Sequence, residues 1–266
     1  MKPLDLKFSK VEIEEQILTI KINRPEVLNA LHHDAHYELS GIFDEFARDF
    51  SLRVAILTAA GNRGFCVGSD LKSKAEFGKP SEQARETPPT GFAGLCTRFD
   101  LYKPVIAAIN GAAIGGGLEV VLACDLAVAS EDAVFSLPEP RVGLAAVGGG
   151  GISRIVRQIP LKKAMRMLLT AQRINARQAL EMGLINEVVP ADQVLGKARE
   201  LAREIVLSAP LAVEATKALV FSSLSSSMER SILDYHPAVV RMLLSEDAKE
   251  GPLAFTQKRA PHWKGE

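Results

Sequence analysis

The sequence lacks an excess of charge of either sign. Lys plus Arg and Asp plus Glu each total 32 among 266 residues, so the formal net charge is zero. No Lys/Arg block stands out along the chain. A nucleic-acid-binding protein usually shows a basic excess that tracks phosphates, and this composition excludes that class. Long apolar runs are missing too. The longest uncharged stretch, between Lys103 and Glu119, is too short and too glycine-rich to span a bilayer, which takes about 20 apolar residues. The opening MKPLDLKFSK has neither a signal-peptide core nor an Arg/Ser-rich transit pattern. Cysteine is scarce: Cys66, Cys96 and Cys124 are odd in number, widely spaced and form no CxxC pair. That spacing excludes a disulfide framework and a CxxC metal site. The expectation is a cytoplasmic protein with reduced thiols, no metal, and neither nucleic acid nor membrane as partner.

What remains is ordinary globular material. Hydrophobic residues make up 47% and charged residues 24%, enough apolar surface to offset the entropy of ordering. The length suits one large domain with an appendage. In the first half, residues 17–23 (ILTIKIN) alternate as a half-buried strand does, while 53–59 (RVAILTA), 104–110 (PVIAAIN) and 126–130 (LAVAS) are continuous apolar runs. Such runs suit strands covered on both faces. Residues 30–49 between them carry apolar side chains at helical spacing. Strands alternating with helices predict an α/β architecture. The second half is helical in period over 161–170, 176–183, 193–208, 211–224 and 228–244, with Gly183 placed as a C-cap. The last 60 or so residues read as a helical appendage whose amphipathic faces need a partner. Between Leu71 and Lys103 the chain is irregular, rich in proline and glycine, and suits a functional lid. No repeat of fixed period is present.

Two glycine clusters carry the chemistry: Gly111 with Gly115–Gly117, and Gly148–Gly151. The first lies between an apolar strand and the start of a helix, where free backbone N–H groups favour an anion. No window matches GxGxxG, and the run Gly111-xxxx-Gly116 lacks the Lys of a nucleotide-phosphate loop. An oxyanion hole for a polarised carbonyl is the remaining ligand reading; tight helix–strand packing is the plain alternative. Two acids sharpen the choice. Glu119 sits just past the glycines in an apolar helix start, and Glu139 stands between Pro138 and Pro140 at a strand exit. An apolar surround raises a carboxyl pKa toward the range useful for proton transfer; a solvated or salt-bridged carboxylate is the ordinary fate of a single Glu. Cys66, in Gly64-x-Cys66-x-Gly68, has the outline of a nucleophile elbow, but the strand does not run into it and no histidine stands out as a partner. A small buried hydrophobe is the plain reading of that thiol.

These residues resemble the enoyl-CoA hydratase/isomerase (crotonase) superfamily, hydratase-like branch. The matching stretches are 22–31 (INRPEVLNAL), 65–71 (FCVGSDL), 103–125 (KPVIAAINGAAIGGGLEVVLACD), 135–144 (FSLPEPRVGL), 176–189 (ARQALEMGLINEVV) and 254–265 (AFTQKRAPHWKG). The resemblance implies a crotonase-like spiral of ββα units over residues 1–200, holding the CoA and active sites. It implies a C-terminal helical region for oligomerisation over 201–266, forming a homotrimer or dimer of trimers. The ligand would be an acyl-CoA thioester, with coenzyme A part of the substrate and no separate cofactor. Carried over, the oxyanion donors are the N–H groups of Ser69 and Gly116, with Gly115 beside them. Asp70 and Leu71 would flank the adenine together with Ser69. Val27 and Leu28 would line the pantetheine path, and Phe255 and Lys258 would approach the nucleotide end from the C-terminal tail. Glu119 and Glu139 match the acids that add water to an enoyl thioester, the first as general base and the second as proton donor to the α-carbon. Isomerase relatives commonly keep one of these acids. Hydroxycinnamoyl-CoA hydratase-lyases and carnitinyl-CoA dehydratases share much of the pattern, and a non-catalytic CoA-binding trimer or a thiol hydrolase using Cys66 are further alternatives. Two departures stand out: Ser69 where many hydratases have Ala, and Ala145–Val147 before four glycines where a proline-containing turn is common.

Overall fold

The computed structural model describes residues 5–70 and 87–266. Among the described residues, ten strands form two sheets. The six-stranded sheet has the order β1 (Ser9–Glu14), β2 (Ile17–Ile22), β3 (Val54–Ala59), β5 (Val105–Ile109), β7 (Leu126–Ser130), β10 (Glu187–Val189). The four-stranded sheet has the order β4 (Gly64–Cys66), β6 (Ala112–Ile114), β8 (Val134–Ser136), β9 (Ile174–Asn175). The chain steps between them: β3 leads to β4, β5 to β6, and β7 to β8, each pair placing one strand in each sheet. β3, β5 and β7 pair in parallel, as do β4, β6 and β8. This repeated strand–strand step, with helices between turns, is the expected spiral of the α/β class.

The apolar runs form strands because both faces are covered. Along β3, Ala55 and Leu57 enter one core while Val54 and Ile56 enter the other. β5 divides in the same period-two way, Ala107 against Ile106 and Ala108. The first core is closed by α1 (His33–Arg48), through Leu39, Ile42, Phe43 and Phe46. The second is closed by a helix running Val194–Val206, whose Val194, Ala198 and Ala202 are buried. That helix crosses the expected boundary at residue 200 without a break. Its buried face belongs to the sheet, so the helical appendage begins after it.

The appendage holds helices Pro210–Ser223, Met228–Leu233, Pro237–Leu243 and Asp247–Thr256. The helical period over 228–244 is interrupted by Pro237, which supplies no N–H and disfavours helical backbone before it. His236 caps the restart by accepting from Ala238 N–H at 3.1 Å. Lys217 fastens the appendage to the core, donating to Asp125 Oδ2 at 2.7 Å and Lys103 O at 3.0 Å. Trp263 Nε1–H reaches Leu207 O at 2.8 Å, and the Asp247 carboxylate accepts from Lys264 and Gly265. No single described helix is long and apolar enough to cross a membrane.

A tight turn follows β2. After Arg24, a short 3-10 turn Pro25–Val27 ends with Leu28 and Asn29 both in the left-handed conformation, φ 54° and 57°. Asn29 makes this possible. Its Oδ1 accepts from Arg24 N–H at 2.9 Å, and its Nδ2 donates to Ala60 O and Gly64 O at 2.9 and 2.7 Å. Asn is among the few residues tolerant of that backbone. Asn29→Ala removes all three bonds and leaves buried carbonyls unpaired. It is expected to lower unfolding free energy by about 2–4 kcal/mol, read as a reduced urea midpoint at unchanged slope.

Candidate active site

The site forms where the chain after β4 meets the start of α2, the helix Gly116–Ala123. Gly68 lies in the left-handed region at φ 94°. A Cβ there would stand 3.2 Å from both Gly116 N and Ile114 O. The two backbones are therefore as close as a side chain would forbid. Ser69 forms an isolated parallel bridge with Leu31: Leu31 N–H donates to Gly68 O, and Asp70 N–H to Leu31 O. Because main-chain groups alternate in direction along an extended segment, the Ser69 N–H points away from Leu31. Gly116 is the first residue of its helix, where an N–H has no intrahelical acceptor. Gly115 before it takes φ 57°. Neither the Ser69 nor the Gly116 amide has an acceptor among the described residues.

The glycines of the turn make close contacts on two sides. Gly117 is a packing glycine: a Cβ would lie 1.9 Å from Cys66 O. Gly116 faces the Phe92 ring, whose atoms would come within 2.6 Å of a Cβ.

The two acids converge on the same turn. Glu119 is buried one helical turn beyond Gly115. Its Oε2 accepts from Gly149 N–H and its Oε1 from Gly151 N–H, each at 2.8 Å. A Cβ on Gly149 would fall 2.7 Å from Glu119 Cβ, and one on Gly151 2.9 Å from Oε1. The four-glycine run that follows Ala145–Val147 is thus a socket for Glu119. Glu139 opens the 3-10 turn Glu139–Val142 after β8. Its Oε1 lies 3.1 Å from where a Gly115 Cβ would be, and its Oε2 is buried with no hydrogen-bond partner. Burial pushes both carboxyls above the usual range. For Glu119 the two glycine amides and Arg154 pull the other way. For Glu139 the charge of Glu119 pushes further upward.

The other expected residues divide. Asp70 pairs with Arg24, Oδ2 to Nη2 at 3.1 Å, and Arg24 also donates to Ala30 O. This ties the turn carrying Val27 and Leu28 to the Ser69–Asp70 segment. Leu71 lies outside the described residues. Phe255, 85% exposed, and Lys258 stand at the surface of the single chain rather than among the acids and glycines. Cys66 is buried in β4 with its thiol pushed up to about 12 by burial, so it is a packed hydrophobe and not a nucleophile. Among the described residues no cluster of His, Cys, Asp or Glu is placed to hold a metal ion. Sequence reasoning missed the Gly149 and Gly151 amides and the contact of Phe92 with Gly116.

Comparison with known proteins places this geometry. The model of the enoyl-CoA hydratase/isomerase family matches residues 12–266. A carnitinyl-CoA dehydratase of Proteus mirabilis is 45% identical over 256 residues, covering 94% of this chain and 95% of the relative. One from Escherichia coli is 41% identical over the same share of both. Among solved structures, an enoyl-CoA hydratase from Mycobacterium tuberculosis superposes with a TM-score of 0.89 at 38% identity, over 97% of this chain and 99% of that one. An enoyl-CoA hydratase from Bacillus anthracis gives 0.90 at 34% identity, over 98% and 100%. The chain belongs to the enoyl-CoA hydratase/isomerase family, the crotonase superfamily.

Proposed function

We propose that this crotonase-family enzyme is a lyase that adds or removes water across the 2,3 bond of an acyl-CoA thioester. One observation carries the reading: a buried and a half-buried carboxyl, both with raised pKa, meet the glycine turn at Gly115–Gly117, and the Ser69 and Gly116 amides have no acceptor among the described residues. The thioester oxygen would take the Ser69 and Gly116 N–H groups. As water attacks C3, the π electrons move onto that oxygen as an enolate, which aimed donors stabilise by several kcal/mol; losing one such donor costs about 10²–10³ in rate. Glu119 takes a proton from the water, and Glu139 gives one to C2. Proton transfer from Glu119 to Glu139 then restores the starting state. The asymmetry of the two sites supports these roles. Two amides stabilise the ionised form of Glu119; the unpartnered buried oxygen of Glu139 favours its protonated form. Removal of water runs through the same groups in reverse.

The identity of 41–45% to carnitinyl-CoA dehydratases supports a second, finer reading, in which a carnitinyl-type thioester is the substrate. An isomerase relying on one acid would leave the other without a task. Coenzyme A enters as part of the substrate. The exposed apolar side chains of the appendage, among them Leu224, Met228, Ile232 and Leu244, suit contact with further copies in a homotrimer or dimer of trimers. Phe255 and Lys258 would then serve a neighbouring subunit's nucleotide end. Three unpaired cysteines suit a reducing cytosol.

Loss of conjugated-thioester absorbance with crotonyl-CoA and crotonobetainyl-CoA tests the reading. Glu119→Gln and Glu139→Gln are each expected to lower kcat by at least about 10², with CoA affinity retained. Cys66→Ser is expected to keep full activity. Wild-type turnover by either glutamine variant would sink the assignment.

Stability supplies an independent check. A carboxyl with a raised folded-state pKa favours the fold while protonated and loses that contribution as pH rises through the folded value. Glu139→Gln is therefore expected to raise Tm at pH 8 and to leave it near wild type at pH 4. A scanning-calorimetry series showing no pH dependence of the difference would contradict the buried, raised carboxyl.

A further inference from the structure

Helix α1 reaches toward the site through one polar side chain. His36 is fully buried, and its Nδ1 accepts the Ala93 N–H at 3.0 Å. That bond requires a lone pair on Nδ1, so the ring proton sits on Nε2. Ala93 has φ 54°, a backbone state that a non-glycine residue keeps only when its surroundings over-determine it. The surroundings do so here. A Cβ on Gly94 would fall 2.4 Å from the Ser40 backbone, which presses the turn flat against α1. Ser40 Oγ meets Thr90 Oγ1 at 2.8 Å, and Arg98 donates to Ser40 O and pairs with Asp44. His36 holds the centre of this segment.

Phe92, next to Ala93, transmits the hold. Its ring packs edge-on against the His36 ring with centroids 4.4 Å apart. Its far side meets Gly116, close enough that a Cβ there would come within 2.6–2.9 Å of three ring carbons. A contact chain therefore runs from His36 through Phe92 to the residue whose amide faces the acceptor-free turn. An apolar residue at position 36 would fill the same space, beside Leu39 and Phe43, without the desolvation of an imidazole. The directed bond is what an apolar residue could not supply.

Resting on the lyase reading above, we propose that His36 is a positioning residue: it fixes Phe92 against Gly116 and thereby sets the direction of the Gly116 amide. Two substitutions separate the bond from the bulk. His36→Leu removes the acceptor, and His36→Asn keeps one, its Oδ1 standing near the place of Nδ1. The measurements are steady-state kinetics with crotonyl-CoA and the absorption maximum of bound cinnamoyl-CoA, which moves to longer wavelength when its carbonyl is polarised. His36→Leu is expected to lose roughly 10–10²-fold in kcat, keep KM within about twofold, and shrink the spectral shift. His36→Asn is expected to recover most of both. Wild-type kcat and shift in His36→Leu, or equal losses in the two variants, would overturn the proposal. If His36→Leu does not fold, Phe92→Leu carries the test, with the same losses expected and wild-type values decisive against it. A wild-type protein that turns over no enoyl-CoA yet shows a shift that His36→Leu abolishes keeps the positioning role and sinks the lyase reading. A wild-type protein with no shift overturns the positioning role.

Discussion

The close approach of the Gly68 backbone to the start of α2 is the constraint on which the site depends. Two missing Cβ atoms set it. One at Gly68 would crowd Gly116 N, and one at Gly117 would overlap Cys66 O. With both absent, the strand end and the helix start lie against each other. The parallel bridge between Leu31 and Ser69 directs the Ser69 N–H away from Leu31, and the helix start leaves the Gly116 N–H without an intrahelical acceptor. The spiral delivers this meeting by sending β4 and β6 side by side into the second sheet.

The two acids, some 20 residues apart in sequence, sit under different local conditions. Glu119 pays its desolvation against two main-chain amides from the glycine run, which hold both of its oxygens. Glu139 has no such compensation for one oxygen and feels its neighbour's charge. A fold selected only for stability would place neither group there. The central strands around them are apolar and buried, and this core carries the unfavourable burial at the turn where proton transfer would occur.

Much of the frame was legible in the residues. β2, β3, β5 and β7 are five or six residues long, long enough for alternation or a continuous apolar run to register. β4, β6 and β8 are three residues each, too short for any period, and yet they bring the site together. Gly115, Gly116, Glu119 and Glu139 could be singled out because glycine at a helix start and glutamate among apolar neighbours are unusual in themselves. The socket at Gly149 and Gly151 could not be read. A run of glycines is compatible with many backbones, and the partner carboxylate lies some 30 residues away in sequence. His36 falls in the segment of helical spacing over 30–49 and Phe92 in the irregular stretch between Leu71 and Lys103; only the tertiary contact joins them. The break before Pro237 was present as a local signal, but the apolar period on either side of it spoke more loudly. Phe255 and Lys258 stand at the surface of the single chain, away from the acids and glycines.

In the proposed reaction the groups that would face the developing charge are peptide amides, and a peptide amide is common to every residue but proline. Mutation at positions 69 or 116 alters bulk and angle without erasing the donor. The carboxyls, in contrast, are ordinary side chains that a single codon change can exchange. A lineage built on this frame can therefore be retooled for new reactions at positions 119 and 139 while its anion cradle passes down intact. Diversity of chemistry on a constant scaffold follows from where the backbone, rather than the side chains, was put to use.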